Sequence, residues 1–118
     1  MARELTLATF ILLLSISIQS VYGQTATVTP GTVTQGENFE VSGGGFSAYN
    51  WFLVSVFADN TGGCIGSSPL TQTGRVDGSG NIGPVTFSSS NLGIGTHCVN
   101  IIAGNVKSAS VFVTVTSS

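Results

Sequence analysis

Few side chains in this sequence could perform chemistry, and their spacing does not favour catalysis. His97 is the only histidine, and Cys64 and Cys98 are the only cysteines. The cysteines lack the C-x-x-C spacing of a redox pair, and with one histidine they are too few for an ordinary zinc site. No HExxH, Walker A or GxSxG string occurs in the chain. We therefore predict a protein that is not an enzyme and that holds no cofactor and no metal.

The acidic side chains offer no better catalytic or metal site. Glu37 and Glu40 are three residues apart, which puts them on opposite faces if both lie in a strand, so a glycosidase pair is not supported. Asp59, Asn60 and Asp77 carry oxygen atoms of the kind that bind calcium. All three are also common turn residues, and we expect them to stabilise turns.

The chain is poor in charge. It has 118 residues, of which three are Lys or Arg and five are Asp or Glu, and its formal net charge is -2. This length suits a single domain. Nucleic-acid-binding proteins need a basic surface that neutralises phosphates, so we expect no nucleic-acid partner. Low net charge weakens the repulsion between copies, and the composition therefore favours a homo-oligomer or polymer.

Residues 1–23 have the pattern of a secretory signal. Arg3 precedes an apolar stretch centred on residues 10–14, and small residues lead up to Gly23. The stretch is shorter than the roughly 20 apolar residues of a membrane-spanning helix. We predict cleavage after Gly23, a secreted or cell-surface location, and a mature domain of residues 24–118, with only the precursor's signal contacting the membrane. The alternative is a retained segment, either a membrane anchor or the helix of a pilin-like subunit.

The pattern after Gly23 predicts an all-β domain, an antiparallel sandwich of about seven strands. Residues 77–80 (DGSG) predict a hairpin turn between two of these strands. The predicted strands span residues 25–29, 38–42, 51–58, 70–76, 82–88, 95–103 and 109–116. The side chains expected to face the core are Ala26, Val28, Phe39, Val41, Val99, Ile101, Val111, Val113 and Val115.

Four stretches resemble a family of extracellular domains. They are residues 29–36 (TPGTVTQG), 39–46 (FEVSGGGF), 76–81 (VDGSGN) and 92–99 (LGIGTHCV). Together they are similar to secreted prokaryotic Ig-like domains of the IPT and neocarzinostatin-like type. The resemblance covers nearly all of the predicted mature domain and implies an Ig-like sandwich, but these turn and core signals say little about function. It also places His97 where the relatives have an inward tyrosine, which implies a packed, hydrogen-bonded role.

The two cysteines predict a disulfide on the outer surface of a sheet. Cys64 and Cys98 are the only candidates, and a secreted protein meets an oxidising compartment. If Val99 and Ile101 face the core, Cys98 faces outward, so the loop that carries Cys64 should fold across that outer surface. The predicted strand 51–58 is apolar on both faces, and this loop or another molecule would cover its second face.

These features support three functional hypotheses. The first is a secreted structural subunit that forms an extracellular filament, sheath or matrix by adding a strand to a neighbour's sheet. The second is a module that binds a carbohydrate, a small molecule or a cell-surface glycan, as the neocarzinostatin-like resemblance implies. The third is a pilin-like subunit that keeps its hydrophobic N-terminal helix. The predicted assembly strand is Thr25, Ala26, Thr27, Val28 and Thr29, and the predicted binding face is Trp51, Leu53 and Phe57.

Overall fold

The computed structural model describes residues 17–21, 23–104 and 107–117, which form strands joined by turns and loops. The strands are β1 (Ser17–Val21), β2 (Gln24–Thr29), β3 (Thr32–Thr34), β4 (Asn38–Gly44), β5 (Trp51–Val56), β6 (Leu70–Arg75), β7 (Ile82–Ser88), β8 (Gly95–Ala103) and β9 (Lys107–Thr116). They build the two layers of a sandwich. One sheet has the order β1-β2-β4-β7 and the other has the order β3-β9-β8-β5-β6. The predicted all-β fold class is confirmed.

The core lies between the two sheets and takes alternate residues from each strand. Phe39 and Val41 of β4 are buried, while Glu40 between them is exposed. Phe39 stacks on Phe87 of β7 with ring centroids 5.7 Å apart. All nine side chains that the sequence predicted to face the core are buried. Removal of these apolar side chains from water is the main favourable term in folding.

Two short strands were not among the seven that the sequence predicted. β1 comes from the predicted signal segment and pairs antiparallel with β2. β3 pairs parallel with β9. The sequence predicted an antiparallel sandwich, and this one pair of strands departs from it. The position of β3 follows from Val33, which is 2% exposed: the chain crosses to the second sheet after β2 and buries this side chain there.

Most of the predicted signal segment, residues 1–16 and Tyr22, lies outside the described residues. The helix predicted for a pilin-like subunit falls mainly on these residues. In the part of the chain that the structure describes, no helix is long and apolar enough to cross a membrane.

The turn at Asp77 is not the hairpin that the sequence predicted. β6 pairs with β5, whereas β7 pairs with β4 in the other sheet. Val76 and Ile82, on either side of the turn, are each 1% exposed, so the chain crosses the end of the core between them. The Asp77 carboxylate holds this crossing, because its Oδ1 accepts hydrogen bonds from the N–H groups of Ser79 and Asn81, both at 2.9 Å.

The predicted disulfide between Cys64 and Cys98 is present, with the Cα atoms 5.2 Å apart. Cys98 lies between His97 and Val99, which both point into the core, so its side chain is on the outer face of the sheet. It is nevertheless 0% exposed. The loop after β5 follows β8 through a bridge between Thr61 and Thr96 before it reaches Cys64. The loop therefore covers this part of the outer face.

Replacing the disulfide with Cys64→Ser and Cys98→Ala together should destabilise the domain by about 3 kcal/mol, because the bridge closes a long loop. The sequence separation is 34 residues. Urea denaturation of the double variant against the oxidised protein measures the change. An unchanged midpoint would show that the bridge does not stabilise the folded domain.

Candidate contact face and assembly edge

The outer face of the five-stranded sheet carries an exposed apolar cluster, which we call the outer patch: Trp51, Leu53 and Ile102. Leu53 on β5 is the direct cross-strand partner of Ile102 on β8. Their exposed fractions are 63% for Trp51, 36% for Leu53 and 41% for Ile102. An open groove of about 460 Å³ runs over the patch and is bordered by Thr73 and Gly104. Exposed apolar clusters of this kind commonly mark contact surfaces.

A cation lies against this patch. Arg75 on β6 is the cross-strand partner of Trp51, and its guanidinium carbon lies 4.8 Å from the centre of the indole ring. Such a cation–π contact contributes about 0.5–1 kcal/mol at an exposed site. The contact orients the indole and gives one end of the groove a positive charge.

Phe57 is separate from the other two residues of the predicted binding face. It is half-buried and does not line the groove. Its N–H donates to the carbonyl of Cys98 at 3.0 Å, at the start of the disulfide loop. The second apolar face of the predicted strand 51–58 is therefore only partly covered: Phe57 is half-buried, while Trp51 and Leu53 remain open to solvent.

The edges of the two sheets differ in how they are protected against pairing with another chain. β7 contains Pro84, which lacks an N–H, and β6 carries the Arg75 side chain. β3 has only three residues. Proline, charge and short length are the usual protections of an edge strand. The fourth edge is β1, and if residues 1–23 are removed as predicted, β2 takes its place without a charge or a proline.

The predicted assembly strand forms most of β2 and is part of the chain's own sheet. Thr25–Thr29 pair antiparallel with Glu40–Gly44 of β4. Ala26 is 0% exposed and Val28 is 1% exposed, because both side chains enter the core. The strand is thus a fixed element in this structure and not a free tail.

The polar residues around the disulfide loop have structural contacts. His97 is 0% exposed, and its Nδ1 and Nε2 atoms each lie 2.7 Å from a carbonyl oxygen, that of Phe57 and that of Gly93. The ring therefore joins the loop to the turn before β8. Within the described residues, no three side chains of His, Cys, Asp or Glu come together as a metal site.

Asp59 organises the first turn of the same loop. Its Oδ2 accepts hydrogen bonds from the Thr61 hydroxyl at 2.7 Å, the Gly63 N–H at 2.8 Å and the Thr61 N–H at 3.1 Å. These bonds favour the ionised carboxylate and lower the pKa of Asp59, the Thr61 hydroxyl most strongly. The neighbouring Asn60 amide donates to the Ile94 carbonyl at 2.9 Å.

Comparison of the chain with known protein families, curated proteins and solved structures finds no match. The resemblance to IPT and neocarzinostatin-like domains therefore remains a prediction from the sequence motifs.

The low pKa of Asp59 gives the loop a defined pH dependence. A carboxyl whose pKa is lower in the folded chain contributes stability above its ordinary value of 3.8, and this contribution is lost as pH falls through the lowered pKa. Asp59→Asn should lower the melting temperature near neutral pH. The difference from the unchanged protein should disappear in melting curves taken at decreasing pH below 3.8. A difference that persists in strong acid would mean that the charge plays no part.

Proposed function

We propose that this protein is a secreted structural subunit that self-assembles into an extracellular filament, sheath or matrix. The observation that carries the proposal is β2, the charge-free strand that becomes an edge when residues 1–23 are removed. The other edges are protected by Pro84, by Arg75 or by the three-residue length of β3. An edge without such protection is a template for another chain.

The composition supports the same function. The predicted mature chain keeps two basic and four acidic residues, so copies repel each other little. Catalysis would need available reactive side chains, whereas His97 is bound to two carbonyl groups inside the core, and Asp59 and Asp77 are bound within turns. A role based on contact between copies fits the molecule better than a role based on catalysis.

The proposal is tested by the N-terminus and the association state of the secreted protein. The full 118-residue chain should be produced in a secreting host, its N-terminus determined by mass spectrometry, and the product examined by electron microscopy and light scattering over a concentration series. We expect an N-terminus at Gln24 and regular assemblies. A product that stays monomeric at every concentration would contradict the proposal.

A pair of variants with the same change of charge tests the role of β2 in assembly. Val28→Lys puts a cation on the inner face of β2, at a side chain that is 1% exposed, and burial of an unpaired charge is strongly unfavourable. It should abolish the assemblies. Because Val28 also belongs to the core of its own domain, the loss counts as loss of assembly only where circular dichroism shows that the sheets of the secreted variant still form. Thr86→Lys puts the same charge on the exposed face of β7 in the same sheet and should leave them intact. If both variants lose the assemblies equally, the added charge is the cause and its position on β2 is not.

The outer patch supports a second candidate function, binding of an acidic carbohydrate. An exposed indole can pack against the C–H face of a sugar ring, and Arg75 beside it can pair with a carboxylate. An uronic acid combines both features. This function requires no assembly, and it uses the opposite side of the sandwich from β2.

Trp51 is the only tryptophan, so its fluorescence reports directly on this patch. Titration with oligogalacturonate should give a saturable change, and a neutral glucose oligomer should bind more weakly. Arg75→Gln should weaken oligogalacturonate binding by about tenfold, the loss of one charge-assisted hydrogen bond. Leu53→Ser should also weaken it, whereas Phe112→Ser, on the same face outside the groove, should not. Absence of any change with both sugars would exclude this function.

A further inference from the structure

The proposed assembly needs a contact that can extend without closing. Two β2 edges that pair with each other would be related by a two-fold axis, and such a contact ends at a dimer. An open-ended polymer needs a donor surface and a different acceptor surface on every copy. The structure offers a strand that can act as donor and the slot that it fills as acceptor.

If residues 1–23 are removed as predicted, β2 is attached to the rest of the domain at one end only. It is the first strand of the predicted mature chain, so it can leave without any loop being threaded. Its link to β3 consists of Pro30, which is exposed, and Gly31. After this link the chain is fixed to β9, because the Gly31 carbonyl accepts a hydrogen bond from the Thr114 N–H at 2.9 Å. The hinge is therefore at Pro30.

The slot that β2 fills has the dimensions and chemistry of one strand. Residues Glu40–Gly44 of β4 supply the antiparallel backbone partners, and β9 of the opposite sheet lies against β2. Ala26 and Val28 are the apolar side chains that enter the core from this strand, and no charged residue accompanies them. An identical strand from another copy would make the same contacts. An unfilled slot would expose the core, so every domain needs one such strand.

We infer that β2 of each copy occupies this slot in a second copy of the chain, so that the subunits are joined by strand exchange. The inference rests on the proposed function and names its donor, acceptor and hinge. When each copy gives its strand to one neighbour and receives a strand from a different neighbour, the exchange builds a head-to-tail series. Since the contacts are the same within and between copies, the choice depends on subunit concentration and on the short link. The elements β3 to β9 and the disulfide remain as they are.

Cysteine pairs across β4 can distinguish exchange from a strand that stays in its own domain. Thr27 and Ser42 are direct partners between β2 and β4, and antiparallel partners lie within the range that a disulfide spans. The variant Thr27→Cys with Ser42→Cys should be secreted from the full chain, assembled and oxidised. We expect a ladder of covalent multimers on denaturing gels run without reductant, whereas a single covalent dimer would show reciprocal exchange and overturn the head-to-tail series. Reductant should collapse the ladder to the monomer.

The control pair is Asn38→Cys with Ser88→Cys, which joins β4 to β7 in a part of the sheet that β2 does not reach. It should give only covalent monomer in the same assemblies. If the Thr27–Ser42 pair also gives only covalent monomer while assemblies are present, exchange is wrong and the structural function stands. If the oxidised variant stays monomeric while the unchanged protein assembles, the new disulfide has fixed β2 in its own domain, and this result supports exchange. If neither protein forms assemblies, both the exchange and the function are wrong.

Discussion

The packing of β8 (Gly95–Ala103) is the interaction on which the rest of this structure depends. β8 lies in the middle of the five-stranded sheet, between β9 and β5. Its inner face contributes the fully buried His97, Val99 and Ile101, and its outer face anchors the disulfide loop through Cys98. This one strand therefore contacts the core, two neighbouring strands and the disulfide loop. Burial of apolar side chains on the inner side stabilises this strand, and both β9 and β5 pair with it directly.

Two surfaces are not covered by this packing: the outer patch and the edge of the four-stranded sheet beside β2. The disulfide loop covers one end of the outer face, and the outer patch remains at the other end. On the four-stranded sheet, the free edge of β2 pairs with β1, which belongs to the predicted signal segment. The two surfaces belong to different sheets, so assembly through β2 leaves the outer patch accessible.

Several features of the fold followed from local sequence pattern. Alternation of apolar and hydroxyl residues predicted the strands and their inward side chains, because successive side chains of any strand point to opposite faces of its sheet. The presence of only two cysteines predicted the disulfide, and the parity of Cys98 relative to Val99 predicted its outer position. The parallel β3, the crossing at Asp77 and the separation of Phe57 from the outer patch were not predicted. They depend on which distant strands become neighbours, and a single sequence carries no direct signal of that.

The sequence by itself determined the all-β class, the inward residues, the disulfide partners and the small number of reactive groups. The tertiary structure alone decided that Ile102 and Arg75 join Trp51 and Leu53, since the register of β5 with β8 and β6 brings them together. It also decided that residues 25–29 are a core strand paired with β4. The physical reason is that burial against a particular partner sets position, whereas the pattern along the chain sets only which face is buried.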